Sequence, residues 1–309
     1  MPLPPPIKPT LTAASTPKPP IARPPIKMPT VTSASPASRH TPKTFNIITW
    51  TGAKEGEKII LYGNSGMGKT TLATMAPSPV FIGLDDGGRK IVNPKTGENV
   101  KAIPGVESFQ DLRDALHQNG LIEPGQTLVI DTVTRAEGLG ELHTLATVKT
   151  EKGETPENLE AYGYGKGYKH LMDTMRLLIS DLEPHVRRGV HVLLLAQQGQ
   201  ATVSNLEGVD YLQDGPKLCA RKDQNIRTEF VEWVDHVFRI GHPSLEVVKD
   251  NKKNVKGKVK GTMERVIYTQ PELYYMAKNR SNGKWPPVVS FENPADDSLW
   301  AYVFHGATV

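Results

Sequence analysis

A single cysteine, Cys219, stands among 309 residues, which excludes an internal disulfide and a Cys-rich zinc site and suits a reducing compartment. Long apolar runs are missing too. The strongest, Val190 to Ala196, is interrupted by His191 and is far too short to span a bilayer, so a cytoplasmic protein without a membrane partner is expected. The nine histidines show no metal-ligand spacing. Acidic residues are absent before Glu55, whereas Lys8, Lys18, Arg23, Lys27, Arg39 and Lys43 put six positive charges on the first 44 residues. The net charge of +4 therefore belongs mainly to that segment, because the remainder holds 31 basic against 33 acidic residues. Residues 1–44 are Pro-, Thr-, Ser- and Ala-rich and nearly free of aromatic side chains, so a disordered tail with polyproline II character is expected. Such a tail serves either as a basic tether for nucleic acid or a partner, or as a solubilising extension. Its prolines also forbid the apolar stretch of a secretory signal.

What is present starts with Gly63-Asn64-Ser65-Gly66-Met67-Gly68-Lys69-Thr70, which reads G-x-x-x-x-G-K-[ST] between an apolar run and a helix start. The physical reasons for each residue type are specific. Glycines at 63, 66 and 68 let the backbone take positive φ and crowd its N–H groups around an anion. Lys69 neutralises β and γ phosphates, the Thr70 hydroxyl is placed to ligate Mg²⁺, and Thr71 continues a helix whose positive end faces the same phosphates. ATP and Mg²⁺ are the cofactors this implies. Lys58 to Tyr62 forms the preceding strand, and Pro77 ends the following helix.

Further along, Val80 to Leu84 is a second apolar strand ending in Asp85-Asp86-Gly87-Gly88, either carboxylates facing the nucleotide or an Asp-Gly turn. Ser108 caps a helix with Leu112, Ala115 and Leu116 as its apolar face and Asn119-Gly120 as its stop. Thr127 to Asp131 is a buried strand ending in a carboxylate, and downstream of such a loop Asp131 is expected to hold Mg²⁺ directly or through water. An amphipathic helix runs from Tyr168 to Pro184. The strand from Val190 ends at Gln197, an amide placed to sense a γ-phosphate, and a long loop from Gly199 to about Glu229 is expected to bind something or close over a site. Val234 to Ile240 is another strand. Beyond it, Leu245 to Val248 and Glu264 to Thr269 flank a lysine-rich stretch, predicting a hairpin whose tip, with Lys252, Lys253, Lys256 and Lys258, either contacts phosphate backbones or is merely solvated.

Strands alternating with helices give the fold class: α/β, a P-loop NTPase core with a mostly parallel sheet over residues 45–309 and a β-hairpin region near the C-terminus, preceded by the tail. The guanine-specific N-K-x-D signature is absent, since Asn251-Lys252-Lys253 is followed by Asn254, which favours ATP.

The set Gly63 to Thr70, Asp85 to Gly88, Leu128 to Asp131, Tyr164-Gly165-Lys166-Gly167, Gln197 and Ala277-Lys278-Asn279-Arg280 resembles the RecA-like ATPases encoded by bacteriophages, particularly the Sak-type single-strand annealing group, over about residues 45 to 292. The resemblance implies a RecA-like core in which Asp86 stands where a catalytic glutamate orients the attacking water, one methylene shorter here. It also implies that Lys278 and Arg280 match a Lys-x-Arg feature that reaches the γ-phosphate of a neighbouring subunit; the other reading is a basic surface strand. The partners so implied are single-stranded DNA and further copies of the chain with composite ATP sites. A DNA-dependent ATPase of recombination or annealing is the leading expectation. A helicase or translocating motor, a non-hydrolysing ATP-responsive DNA-binding module and a small-molecule kinase are the alternatives.

Overall fold

The computed structural model describes residues 55–84, 90–205, 208–243, 246–248, 258–260, 264–281 and 285–306, together with Ile47. The tail at 1–44, Asp85 to Gly88, and Lys252, Lys253 and Lys256 lie outside these residues.

The chain is built on one large sheet. Its strands are β1 (Lys58–Gly63), β2 (Pro79–Gly83), β3 (Lys101–Ala102), β4 (Thr127–Asp131), β5 (His191–Val203), β6 (Tyr211–Pro216) and β7 (His236–Gly241), followed by β8 (Glu246–Val248), β9 (Lys258–Lys260), β10 (Val266–Tyr268), β11 (Lys278–Asn279) and β12 (Val288–Ser290). The order across the sheet is β12-β10-β7-β1-β5-β4-β2-β3, with β11 also on β7 and β6 on β5; β8 and β9 form a separate pair. The strands from β7 across to β3 run parallel, and β10, β11, β12 and β6 are antiparallel additions. This is the mixed α/β, mostly parallel architecture expected from the alternation of strands and helices.

Near-continuous apolar strands such as Ile59-Ile60-Leu61 belong to a sheet covered on both faces. Alternation sorts their side chains. Ile60 and Tyr62 enter a core with α2 (Phe109–His117), α3 (Val133–Thr147), α4 (Lys166–Arg187) and α5 (Ile226–Trp233), while Ile59 and Leu61 enter a second core with α1 (Lys69–Ala73) and α6 (Ser298–His305). Truncating a fully buried residue of either core, Leu194 for example, should cost about 2–5 kcal/mol. The buried Trp300 indole of α6 donates to the Leu72 carbonyl at 2.9 Å and clamps α1 from behind.

The expected cap at Ser108 is present as a reciprocal pair: its hydroxyl accepts from the Asp111 N–H, and the Asp111 carboxylate accepts from the Ser108 N–H. Four expectations are corrected. The segment from Gly199 is not a long loop: β5 continues to Val203 and pairs with β6 as a two-stranded ribbon, and α5 follows from Ile226. Thr202, Val203 and Tyr211 are strand-forming residues, and their alternation finds its partner within the segment itself. The helix expected to stop at Pro184 runs through it to Arg187. The carbonyl freed by the proline belongs to exposed Ser180, where water can satisfy it. Residues 264–269 do not return the lysine-rich hairpin either. That role falls to β9, which includes Lys258, while β10 joins the main sheet between β7 and β12. Finally, Gly63 has no positive φ, unlike Gly66 (80°) and Gly68 (93°).

Candidate functional site

Parallel register brings the carboxyl ends of the parallel segments of five strands together. Gly63 of β1 lies beside Gln197 of β5 and Ile240 of β7, and Asp131 of β4 lies beside Leu195 of β5 and Gly83 of β2. Over this edge the loop 64–68 turns from β1 into α1, leaving a cleft of about 330 Å³ lined by the loop, Lys69, Thr70, Thr71, Ile91, Asp131, Thr132 and Gln197.

The glycines act in three different ways. Gly66 takes φ 80° with open space where a Cβ would stand, so conformation alone requires it. At Gly68 both conformation and space matter: a Cβ would stand 2.7 Å from Arg265 Nη1 and 2.9 Å from Phe291 Cε1. Gly63 is a matter of space only, because a Cβ there would meet the Ile240 carbonyl oxygen at 2.4 Å on the neighbouring strand. Asn64, Ser65 and Met67 complete the loop, with Met67 buried in the α1 core and pinning the loop from below.

The buried Lys69 ammonium donates to the carbonyls of Gly63 and Asn64, each at 2.9 Å. Burial holds its pKa below the usual lysine value, and the Asp131 carboxylate opposes that shift. The Thr70 hydroxyl donates to Asp131 Oδ2 at 2.8 Å. Residues 61 apart in sequence thus set a hydroxyl and a carboxylate side by side, the oxygen pair that suits a hard cation such as Mg²⁺. Gln197 joins them from β5. Its N–H donates to the Thr134 hydroxyl at 3.1 Å and its carbonyl accepts from the Lys217 N–H at 2.7 Å, which fixes the main chain while the side chain stays exposed at the cleft.

Of the residues expected from sequence, the structure therefore gathers Gly63 to Thr71, Asp131 and Gln197. Asp86 lies outside the described residues, as do Lys252, Lys253 and Lys256. Lys278 and Arg280 are elsewhere. Lys278 pairs with Val237 near the start of β7, whereas the loop follows the far end of β1. Its ammonium donates to the carbonyls of Val231 (2.6 Å), Glu232 (3.1 Å) and Val234 (2.6 Å) at the C-terminal end of α5. Arg280 donates to the Glu232 carbonyl and the Asp235 carboxylate. Neither touches the cleft of its own chain.

Two contributors escaped sequence reasoning. Arg265, just before β10, lies over the Phe291 ring at 4.7 Å and donates to the Met67 carbonyl at 3.3 Å, bracing the outside of the loop. With Arg265 and Met67 198 positions apart in sequence, no local signal marks it. Ile91 forms a cleft wall, and the nearby Asn93 side chain donates to the Thr74 carbonyl just beyond α1.

A family of AAA domains matches residues 55–281 of the chain. No curated protein matches it in sequence. Among solved structures, a prototypical ATPase from the type III secretion system of pathogenic bacteria is similar at 14% identity and a TM-score of 0.32, over 60% of this chain and 52% of that one. The chain thus spans about half the length of that ATPase. The flagellar accessory protein FlaH from Methanocaldococcus jannaschii is similar at 10% identity and a TM-score of 0.34, over 77% of this chain and 86% of its own.

Proposed function

The chain belongs to the AAA domain family, and from that premise we propose that it is a DNA-dependent ATPase acting in DNA recombination or single-strand annealing. The observation that carries the ATPase part is the Thr70–Asp131 hydrogen bond beside the buried Lys69 ammonium, under a loop opened by Gly66 and Gly68. These residues fit a magnesium nucleotide. Thr70 and Asp131 would hold the cation, Lys69 would exchange its two carbonyls for the β and γ phosphates, and Gln197 would meet the γ-phosphate from β5. When bound, the cation neutralises phosphate charge as it develops in the transition state.

The DNA part rests on the resemblance and on position. By the resemblance, the β5–β6 ribbon would correspond to the DNA-facing loop of RecA-like proteins; it leaves the sheet immediately after Gln197, so nucleic acid on the ribbon and phosphate in the cleft would share one strand. Lys278 and Arg280 sit at the opposite edge of the sheet, in keeping with service to the cleft of a neighbouring copy. Assembly would then be needed for turnover. The lysines at 252, 253, 256 and 258 and the basic tail would add phosphate contacts.

Phosphate release titrated in parallel against single-stranded DNA, double-stranded DNA and RNA tests the reading. Stimulation by single-stranded DNA, abolished by Lys69→Ala, is the expected result. Tight ATP binding without turnover on any of the three would instead make the chain a non-hydrolysing ATP-responsive module, a reading favoured by the short Asp86 side chain where a glutamate is usual.

A further inference from the structure

Behind the cleft, on the other side of β5, lies a buried polar cluster that nucleotide binding does not require. Its centre is Asp214 of β6, which is 9% exposed. Antiparallel register sets Asp214 opposite Gln200, with Gln198 two residues along on the same face. Both amides donate to it: Gln198 Nε2 to Oδ2 at 2.7 Å and Gln200 Nε2 to Oδ1 at 3.0 Å. Arg239 of β7 donates from Nη2 to Oδ2 at 3.1 Å. In β1, directly beside Arg239, the buried Tyr62 hydroxyl lies 2.6 Å from the Met276 carbonyl and 3.3 Å from that of Asp214. One residue therefore ties the ribbon to the strand that carries the phosphate loop and to its neighbour.

We propose that Asp214 is a positioning residue that couples the ribbon to the phosphate cleft, so that Gln197 and the ribbon move as one unit when the bound nucleotide changes. This rests on the reading of the cleft as a nucleotide site. Gln197 and Gln198 are consecutive on a strand and point to opposite faces, one to the cleft and one to Asp214. The main chain between them is held at both groups of Gln197, by Thr134 next to the Asp131 turn and by Lys217 just after β6. A pull on the Gln197 side chain therefore reaches Asp214 through one peptide unit. The cluster also has unused capacity: among the described residues Gln198 Oε1 and Arg239 Nε are buried without a hydrogen-bond partner. Unmade bonds destabilise this arrangement, so a shift of the ribbon that paired them would recover part of its cost.

Hydrogen exchange of residues 199–216, compared between ADP and a non-hydrolysable ATP analogue, tests the coupling. In the wild type, ribbon amides should differ about fivefold or more in exchange rate between the two nucleotides, the mark of a shifted local opening equilibrium. Asp214→Asn should shrink that difference to less than about twofold and lower kcat, with KM for ATP and affinity for a fluorescent ATP analogue changed by no more than about threefold. Gln200→Leu, on an exposed part of the ribbon, strands no buried charge and should give a partial loss even if Asp214→Asn does not fold. A wild-type difference retained in both variants overturns the proposal, as does a wild type that binds nucleotide but shows no difference. Failure of the wild type to bind either nucleotide would instead overturn the ATPase reading on which the proposal stands.

Discussion

Two lysines at opposite edges of the sheet are bonded almost alike and sit in opposite chemistry. Lys69 donates to two main-chain carbonyls and Lys278 to three. Burial lowers the pKa of both. The difference is in what surrounds them. Beside Lys69 stand a carboxylate, a hydroxyl and a glycine-opened loop, so its carbonyl bonds can be exchanged for phosphate oxygens. Around Lys278 stand a helix end and a second cation, Arg280, so its bonds cap α5. A lysine on main-chain carbonyls is thus not a site by itself; the neighbouring open donors and the paired carboxylate make it one.

The largest expected effect tests that contrast directly. Lys69→Ala should weaken ATP affinity or turnover by about a hundredfold or more, whereas Lys278→Ala should leave nucleotide affinity within about threefold. Titration with a fluorescent ATP analogue, with circular dichroism as a check on folding, separates the two. Equal losses would erase the distinction between the edges.

Arg280 gives the next effect. If it serves a neighbouring copy, Arg280→Ala should lower turnover about tenfold or more with little change in nucleotide affinity. Mixing it with Lys69→Ala protein should restore part of the activity through hybrid interfaces. An absence of rescue at every mixing ratio would leave Arg280 as a support for the α5 corner, bonded to Glu232 and Asp235.

These two edges also differ in how far the sequence reveals them. The cleft is legible because most of it is contiguous: eight residues from Gly63 to Thr70 carry their own turn chemistry, and Asp131 follows from a buried strand of ordinary length. The ribbon is not legible, because whether Gly199 to Val203 continues as strand depends on a partner eight or more residues later. Helix α3 was hidden by Gly138 and Gly140, poor helix formers. Yet a Cβ at Gly140 would stand 2.9 Å from Met175 Sδ, so the glycine is set by packing between α3 and α4. Arg265 could not be found locally at all. The tail holds an approximate repeat that pattern reading passes over: residues 5–15 return at 24–35 with Met28 inserted and with Val31 and Ser33 where Leu11 and Ala13 stand.

Within the cleft, the three glycines should separate by mechanism. Gly63→Ala forces a methyl against the backbone of β7 and should cost about 2–3 kcal/mol of stability, with nucleotide affinity falling as β1 shifts. Gly66→Ala meets nothing and pays only for its left-handed φ, about 1 kcal/mol. Urea unfolding of the two variants measures the gap. If Gly66→Ala proves the costlier, conformation rather than strand packing governs the loop.

The smallest effect concerns pH at the other edge. The pKa of Lys278 is lowered to about 8, by burial first and then by the Arg280 charge, with Asp235 opposing. Because the folded value lies below that of the unfolded lysine, the unfolded chain holds more protons between about pH 8 and pH 10.5. Stability contributed at this site must therefore rise as pH climbs through that window, and the cost of keeping the ammonium charged is fully present below it. Three carbonyls pull the other way, since an ammonium satisfies all three and a neutral amine donates only two hydrogens. Comparing wild type with Lys278→Met by urea unfolding at pH 7 and pH 9.5 decides between them. If burial dominates, the wild type should gain relative to the variant at the higher pH, by a small margin because the site is partly exposed and screened. A wild-type advantage that shrinks with pH would show that the helix cap holds the proton, and that Lys278, like Lys69, stays charged where a neighbouring phosphate could find it.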